Sequence, residues 1–269
     1  MGKFTGTLIA SDFDGTLVPS SKKLTNAVQE AVAYYMQNGG YFTVCTGRTH
    51  QGFPFSFPES VNAPVLLCNG GMAYDYHRNE VVFCDGIGDE GLAVMRDIRD
   101  FFPRVAIEMY PYGATYAIHL NEKSERHFTS QGIPFAIIDD PADAPRPWAK
   151  AMIGGEKEEI AGIQKFLAAY YHNKISFLPT TGGFLEVMRC GVDKGSALLK
   201  LARRLGVDKA HVYAVGDGYN DVEMLRAAAL AFVPENGDAF SKAEADYIVR
   251  SNEEDAIVHV IEILDSIYK

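Results

Sequence analysis

The sequence predicts an α/β protein with a parallel-sheet core and an inserted α+β domain, on three observations. Short apolar runs near both ends of the chain alternate with amphipathic helical segments and end in polar or glycine-bearing turns, which is typical of parallel sheets. Between them lies a stretch in which a helix and a hairpin occur twice, which is typical of an antiparallel sheet with helices. The 269 residues are enough for two domains. We therefore expect the core to comprise 1–84 and 190–269, and the inserted domain 85–189.

The first core segment alternates strands with a helix. The helix begins at Thr25, carries apolar side chains at helical spacing, and ends at Gly39-Gly40. Apolar runs before and after it are typical of buried strands, and each is followed by a polar or glycine-bearing turn. The predicted strands are 7–11, 41–45 and 64–68.

The middle of the chain predicts the inserted domain, and the last third predicts a return to the core. In the middle, the predicted helices are 89–102 and 156–171, and the predicted strands are 105–110, 115–120, 149–153, 175–178 and 184–188. The α/β rhythm resumes at Asp193 with a helix. The strand 211–215, a short helix, the strands 230–233 and 247–249, and a final amphipathic helix follow it.

Composition and charge limit the classes of function. The net charge of −10 argues against a nucleic-acid partner or an anionic membrane surface. No apolar run approaches the length of a membrane span, and the N-terminus lacks the features of a signal peptide. The cysteines are scattered without a C-x-x-C pair, which is typical of core residues in a reducing cytosol. We therefore expect a cytoplasmic protein, and nothing in the sequence indicates an obligate protein partner.

Two carboxylates follow the first predicted strand. Side chains alternate along an extended chain, so Asp12 and Asp14 point the same way, and Gly15 allows a sharp turn after them. In open α/β sheets this edge of the strands is where ligands bind. Two like charges this close raise each other's pKa unless a cation or a proton intervenes. The pair indicates a metal site, an acid–base pair or both, with the alternative that Asp-Gly only forms a turn and Asp12 caps a helix.

Three further polar clusters lie where predicted core elements begin or end. Thr46 offers a hydroxyl, and Lys194 begins a helix whose positive end favours an anion. Asp217 and Asp221 lie four residues apart around a Gly-Asp-Gly turn, on one face if that turn opens a helix. Taken singly, Thr46 has the alternative of a turn cap, Lys194 that of a solvated surface charge, and Asp217 that of a turn residue. Taken together, the clusters offer the groups that the chemistry of a phosphate ester needs.

The clusters resemble the four ordered motifs of the haloacid dehalogenase superfamily. The matching segments are Asp12-Phe13-Asp14-Gly15-Thr16, Thr46-Gly47-Arg48, Lys194 and Gly216-Asp217-Gly218-Tyr219-Asn220-Asp221. The insertion between the second and third motifs, with Asn69-Gly70-Gly71, is similar to the Cof-like phosphatase branch, which has a large C2-type cap. The resemblance spans nearly the whole chain and implies a Rossmann-like core.

This resemblance implies a role for each carboxylate. Asp12 is expected to be the nucleophile that forms an aspartyl-phosphate, and Asp14 the residue that protonates the leaving alcohol and then activates water. Magnesium is expected to be held by an Asp12 oxygen, the Asp14 backbone carbonyl and Asp217, completed by water and the substrate phosphate. Asp221 is expected to be a second carboxylate on the metal side, directly or through water.

The resemblance also implies which groups hold the phosphate. Thr46, the backbone N–H of Gly47 and Lys194 are expected to neutralise the charge on the transferring group. Asn220 is expected to position Lys194 or the phosphate. Arg48 is expected to form a structural ion pair rather than a substrate contact.

The expected function is that of a magnesium-dependent phosphatase acting on a small phosphorylated metabolite such as a sugar phosphate. One alternative is a phosphomutase or phosphotransferase on the same scaffold, in which the phosphoryl group returns to a sugar hydroxyl. Another is a non-catalytic sensor of a phosphometabolite, against which the intact Asp12, Asp14, Lys194 and Asp217 argue.

Substrate selection is expected to depend on the inserted domain, with a contribution from Asn69 and Gly70 in the core. A closing cap would exclude water and contact the leaving group. We expect Arg189 to bind a second anionic or hydroxyl-rich part of the substrate, with an ordinary surface salt bridge as the alternative. The candidates in the inserted domain are Tyr112, the turn 180–183, Glu186 and Arg189.

Overall fold

The structure, a computed structural model, describes residues 2–54, 60–180 and 182–268. The chain divides into two compact units, of which the first comprises Met1–Gly47, Phe55–Val82 and Asp193–Lys269. The second comprises Arg48–Pro54 and Phe83–Val192. The segment Arg48–Pro54, which the sequence analysis placed in the core, therefore clusters with the second unit. One contact that holds it there is the hydrogen bond from Thr115 Oγ1 to Gln51 Oε1, at 2.6 Å.

The secondary structure follows the alternating pattern of the sequence. The strands are β1 (Leu8–Ser11), β2 (Tyr41–Val44), β3 (Val65–Leu67), β4 (Met72–Asp75), β5 (Glu80–Cys84), β6 (Ala106–Pro111), β7 (Tyr116–Ile118), β8 (Ala136–Ile137), β9 (Trp148–Gly154), β10 (Ile175–Thr180), β11 (Phe184–Arg189), β12 (Val212–Val215), β13 (Leu230–Pro234) and β14 (Tyr247–Val249). The helices are α1 (Asn26–Gln37), α2 (Glu90–Phe101), α3 (Glu122–Gln131), α4 (Lys157–Tyr170), α5 (Lys194–Leu205), α6 (Val222–Ala227), α7 (Ala239–Lys242) and α8 (Ala256–Ile267).

A five-stranded parallel sheet forms the centre of the first unit, in the order β14-β13-β12-β1-β2. Strand β1 lies between β12 and β2, and all four of its residues are buried. A strand buried on both faces requires an apolar run, which explains why β1 lacks an alternating pattern. This sheet confirms the predicted parallel core.

Local signals place the helices of the first unit where the sequence predicts them. Thr25 caps α1 by accepting a hydrogen bond from the N–H of Val28 at 3.1 Å. Val28, Val32 and Tyr35 are buried on one face, and Gly39 follows with a φ of +91°, which a side chain would oppose. In the described parts of the chain, no helix has both the length and the apolar composition that crossing a membrane requires.

The second unit is built on a six-stranded sheet in the order β10-β11-β9-β6-β7-β8. Its pairs are antiparallel except for β7 with β8, and the β6–β7 and β10–β11 pairs agree with the predicted hairpins. One buried core includes side chains from this sheet together with α2 and α4, among them Val94, Ile98, Ile107, Ile153, Ile163 and Leu185. Residue 181 of the predicted turn 180–183 lies outside the described residues.

Helix α3 and the pairing of β3 are two of the differences between the structure and the predicted elements. Helix α3 was not predicted, because its sequence is polar and buries mainly Ser124 and Phe128; the side chain of Asn121 caps it. The predicted strand at 64–68 is β3, which pairs antiparallel with β4 in a separate sheet with β5. A single parallel bridge between Cys45 and Leu66 links β3 to the end of β2.

Candidate active site

Three neighbouring strands end at one edge of the parallel sheet. Ser11 at the end of β1 pairs with Val44 of β2 on one side and Val215 of β12 on the other. Asp12 follows directly and donates its N–H to the carbonyl of Val215 at 2.8 Å. Thr46 follows β2, and the loop that carries Asp217 and Asp221 follows β12. The parallel register therefore brings these segments to the same edge.

Lys194 lies between two of the carboxylates. Its Nζ donates to Oδ1 of Asp12 at 2.5 Å and to Oδ1 of Asp221 at 2.6 Å, and the lysine is 0% exposed. It is the first residue of α5, so the N-terminus of that helix is directed at this site. The alternative of a solvated surface charge is therefore wrong for Lys194.

The electrostatics of this cluster favour a bound cation. Burial acts to lower the pKa of Lys194, but Asp12 and Asp221 outweigh it, so the pKa lies above its ordinary value and the group is an ammonium. Burial raises the pKa of Asp12 to about 8, opposed by Lys194 and assisted by Asp221. Burial also raises the pKa of Asp217. Three carboxylates thus share one ammonium, and a divalent cation would supply the missing positive charge.

Asp12, Asp217 and Asp221 form a group that fits a hard divalent cation. One carboxylate oxygen from each residue lies within 4.8 Å of the others. Asp217 is held on one side by Thr16, whose Oγ1 donates to its Oδ1 at 2.6 Å, and on the other by Ser241, whose Oγ donates to its backbone oxygen at 2.9 Å. An all-oxygen donor set with partial solvent access is what Mg²⁺ prefers.

Both carboxylate oxygens of Asp221 already accept hydrogen bonds from the protein. Oδ1 accepts from Lys194, while Oδ2 accepts from the N–H groups of Asp217 at 3.1 Å and Gly218 at 2.9 Å. Gly216 permits this arrangement, because a Cβ on it would lie 2.5 Å from the Asp221 side chain. Asp221 therefore closes the loop after β12 and fixes Lys194, and its predicted place on the metal side stays a prediction.

Asn69 connects the loops that contain Thr46 and Asn220. Its N–H donates to the carbonyl of Thr46 at 2.9 Å, and its Oδ1 accepts from Nδ2 of Asn220 at 3.2 Å. Gly47 leaves room for the Asn69 amide, because a Cβ on Gly47 would lie only 3.2 Å from that amide. Asn69 and Gly70 have φ values of +49° and +98°, a turn that directs this amide into the site. The contact of Asn220 in the structure is thus with Asn69, and its predicted contact with Lys194 or phosphate stays a prediction.

Asp14 lies in a partly exposed ion pair, in which its side chain is 37% exposed. Its Oδ1 accepts from Nζ of Lys22 at 2.8 Å. Gly15 has a φ of +84°, and a Cβ on it would lie 2.6 Å from Oδ2 of Asp217. The contact of Lys22 with Asp14 and the role of the Thr16 hydroxyl were not predicted from the sequence. Thr16 belongs to the motif 12–16. Lys22 lies in a turn that has no motif, so nothing in the sequence indicated its contact with Asp14.

The candidates of the second unit have partners within that unit. Glu186 is buried and pairs with Lys150, whose Nζ lies 3.1 Å from Oε2. Arg189 is exposed, with its Nε 3.8 Å from Oε1 of Glu90. Tyr112 is half exposed. The predicted substrate contact of Arg189 stays a prediction.

Two residues beside Thr46 have structural contacts. Cys45 is fully buried, and burial raises the pKa of its thiol, which opposes formation of a reactive thiolate. Arg48 donates from Nη1 to the carbonyl of Gly52 at 3.0 Å. Cys45 is therefore a core residue, and the predicted ion pair of Arg48 stays a prediction.

Comparison with known proteins points to one family. Residues 9–261 match the family described as haloacid dehalogenase-like hydrolase. The chain is similar to pyridoxal phosphate phosphatase YbhA of Escherichia coli strain K12, with 27% identity over 277 residues that cover 96% of this chain and 98% of that protein. It is also similar to 5-amino-6-(5-phospho-D-ribitylamino)uracil phosphatase YbjI of the same strain, with 26% identity and coverage of 95% and 94%. A crystal structure of a haloacid dehalogenase-like hydrolase from Bacteroides thetaiotaomicron has a TM-score of 0.83 and 25% identity, covering 96% of this chain and 99% of that one.

Proposed function

Since this chain belongs to the haloacid dehalogenase-like hydrolase family, we propose that it is a magnesium-dependent phosphatase that acts through an aspartyl-phosphate. The observation that carries the proposal is the buried ammonium of Lys194, in contact with Asp12 and Asp221 beside Asp217. A buried lysine with two buried carboxylates and a third, partly buried one at the ligand-binding edge of a parallel sheet is costly to fold, and phosphoryl transfer gives each member a role.

Asp12 and Asp217 would hold the magnesium through their carboxylates, and Asp14 through its backbone carbonyl. Asp221 would contribute from the outer side, since its oxygens already bind Lys194 and backbone N–H groups. When bound, the ion neutralises charge between an anionic nucleophile and an anionic phosphate ester. Thr16 supports this role because its hydrogen bond orients the Asp217 carboxylate.

Asp12 is the proposed nucleophile of the first half-reaction. One of its carboxylate oxygens bonds to phosphorus while the bond from phosphorus to the ester oxygen breaks. Asp14 gives a proton to that ester oxygen, so the alcohol leaves neutral and an aspartyl-phosphate remains. The contact of Lys194 with Oδ1 of Asp12 supports this role, because it fixes the direction of the carboxylate.

Asp14 is the proposed base of the second half-reaction. A water oxygen bonds to phosphorus and loses a proton to Asp14 while the bond from phosphorus to Asp12 breaks. Inorganic phosphate leaves, and Asp14 is again ready to donate a proton. The position of Asp14 two residues after Asp12, outside the buried cluster, supports a role in proton transfer rather than attack.

The phosphate oxygens would be bound by Thr46, the N–H of Gly47 and Lys194. Thr46 is buried at the end of β2, beside the end of β1 that leads to Asp12. Preorganised donors of this kind stabilise charge that spreads over the phosphoryl oxygens during transfer. Asn220 would reach the phosphate from the loop that its hydrogen bond to Asn69 holds in place.

The proposed substrate is a small phosphorylated metabolite. The relatives named above act on pyridoxal phosphate and on a phosphorylated ribityl compound, and a sugar phosphate has the same phosphomonoester chemistry. The proposed substrate contacts outside the phosphate site are Asn69, Gly70 and Arg189. We assign substrate selection to the second unit, as the cap that the sequence implies.

Phosphate release from a panel of small phosphomonoesters, with and without Mg²⁺, tests this function. The panel includes pyridoxal 5′-phosphate and several sugar phosphates. We expect turnover that requires Mg²⁺ and falls by at least about 10³-fold in Asp12→Asn, since the variant lacks the nucleophile. Asp208→Asn, a surface aspartate of the same unit, is the matched control and should leave the rate unchanged. Isomerisation of a phosphosugar without net phosphate release would contradict the proposal.

A further inference from the structure

Lys22 forms an ion pair with Asp14 that the proposed mechanism does not use. Its Nζ lies 2.8 Å from Oδ1 of Asp14, and the two side chains are 56% and 37% exposed. A single ion pair this exposed contributes little to folding stability. The contact is instead local to the site, because Asp14 lies two residues after Asp12.

The backbone around Lys22 holds this lysine in place. Lys22 has a φ of +58°, in the left-handed region that residues other than glycine rarely adopt. Its N–H donates to the carbonyl of Pro19 at 2.9 Å, and the N–H of Ser20 donates to Oε1 of Glu253 at 2.7 Å. A strained conformation that is held by its surroundings is typical of functional positions.

We propose that Lys22 is a positioning residue that aligns the Asp14 carboxyl for proton transfer. The inference rests on the proposed function. With Oδ1 held by Lys22, the plane of the carboxyl group is set, and with it the direction of the oxygen that exchanges the proton. In the step concerned, the bond from phosphorus to the ester oxygen breaks as Asp12 bonds to phosphorus, and the ester oxygen takes the proton of Asp14.

The need for this proton depends on the leaving group, which makes the proposal testable. An alkyl alcohol leaves as a strongly basic alkoxide unless it is protonated. p-Nitrophenolate is a stable anion and leaves without a proton. Misalignment of Asp14 should therefore slow the cleavage of an alkyl phosphate and spare that of p-nitrophenyl phosphate. A lysine that only bound the phosphoryl group would affect both esters equally.

The experiment compares kcat/KM for an alkyl phosphate, glycerol 2-phosphate, with kcat/KM for p-nitrophenyl phosphate in saturating Mg²⁺. For Lys22→Met we expect a fall of about tenfold on the alkyl ester, part of the contribution of general acid catalysis, and less than about twofold on the aryl ester. Lys22→Arg, which keeps a donor, should restore most of the alkyl rate. Lys23→Met removes the adjacent exposed lysine and is the matched control. The melting temperature should be unchanged in all three.

The other outcomes would contradict the proposal, and they distinguish failure of the role of Lys22 from failure of the phosphatase function. An equal fall on both esters would mean that Lys22 binds the phosphoryl group, and an unchanged rate on both would mean that the ion pair has no catalytic effect. Either result leaves the phosphatase function intact, because the wild-type protein is active. Wild-type protein that hydrolyses neither ester in Mg²⁺ would overturn the phosphatase function, and this inference with it.

Discussion

Lys194 places a charged ammonium group at the site in a fully buried position, which is unfavourable for a charge. An ammonium without solvent contact is tolerated only because Asp12 and Asp221 lie 2.5 and 2.6 Å away. The two carboxylates in turn depend on the ammonium of Lys194 to offset the cost of their own burial. This mutual dependence links folding stability and the chemistry of the site at one side chain.

Replacing Lys194 with methionine should destabilise the protein strongly. The change leaves two buried carboxylates without their counter-charge, which costs about 3–5 kcal/mol of unfolding free energy. Mg²⁺ should recover part of this loss, because a cation bound to the native state replaces the missing charge. Urea unfolding with and without Mg²⁺ measures both effects. Arg203→Met, at an exposed position on the same helix, should change stability by less than about 0.5 kcal/mol. A loss below about 1 kcal/mol for Lys194→Met would contradict this account.

Some residues of the site could be predicted and others could not. Asp12, Thr46 and Asp217 follow strands that the sequence marks clearly, and parallel strands end at a common edge. The burial of Lys194 was not predictable without the family resemblance, because a lysine at a helix start is ordinarily solvated. The contact of Lys22 with Asp14 depends on the path of a turn, which no periodic pattern describes.

Helix α5 positions Lys194 through its N-terminus. Asp193 accepts a hydrogen bond from the N–H of Ser196 at 2.7 Å, and Ser196 Oγ accepts one from the N–H of Asp193 at 3.0 Å. This reciprocal pair satisfies two backbone donors and fixes where the first helical residue lies. The cap therefore acts on the site through the helix.

Removing this cap should weaken α5 and reduce activity together. Asp193→Ala is expected to lose about 1 kcal/mol of unfolding free energy and to lower kcat, because Lys194 is the next residue. Asp193→Asn keeps a capping oxygen and should stay within a few tenths of a kcal/mol of the wild type. Urea unfolding and phosphate release measure the two effects. Equal losses in the two variants would show that charge, and not the cap, is what matters at Asp193.

Helix α2 of the second unit is anchored by Asp140. Arg96 and Arg99 donate to its carboxylate, and the N–H of Ala142 donates to Oδ1 at 2.8 Å. The pKa of Asp140 lies well below its ordinary 3.8. The hydrogen bond from Arg96 is the largest cause, and that from the N–H of Ala142 comes next. A carboxylate with a depressed pKa stabilises the folded state above its ordinary pKa, and this contribution disappears as the pH falls towards the lower folded pKa.

Asp140→Asn should therefore reduce stability at neutral pH and much less in acid. The difference from the wild type should shrink as the pH falls from about 5 to about 2, because the unfolded wild type, with its ordinary pKa, takes up a proton there more readily than the folded protein does. Urea unfolding over this range measures the difference, with the exposed Asp143→Asn as control. A difference that stays constant with pH would mean that the ionised form of Asp140 does not stabilise the second unit.

Helices and strands could be predicted where the sequence has clear capping residues and regularly spaced apolar side chains. Helix α1 has a capping threonine, an apolar face and terminal glycines, so its bounds follow from the sequence. Helix α3 has one large buried side chain, Phe128, and its polar sequence gives no helical face to recognise. Strand β8 consists of two exposed residues, and it is defined by its pairing with β7 rather than by its own composition.

The whole chain combines two units whose cores differ in kind. The first contains a parallel sheet with strands buried on both faces, and the second a largely antiparallel sheet whose buried core also includes α2 and α4. The alternation of helices and strands made this difference predictable. The grouping of Arg48–Pro54 with the second unit was not, because it depends on tertiary contacts such as that between Gln51 and Thr115.

Detection of the phosphorylated residue is the most direct test of Asp12 as the nucleophile. Asp14→Asn with p-nitrophenyl phosphate should accumulate the phosphoenzyme, because this leaving group needs no acid and the later attack of water lacks its base. After acid quenching and proteolysis, mass spectrometry should find one phosphoryl group, on Asp12. The double variant that also carries Asp12→Asn should have none. A phosphoryl group on another residue, or release of p-nitrophenol in a burst without any phosphoenzyme, would contradict the assignment of Asp12 as the nucleophile.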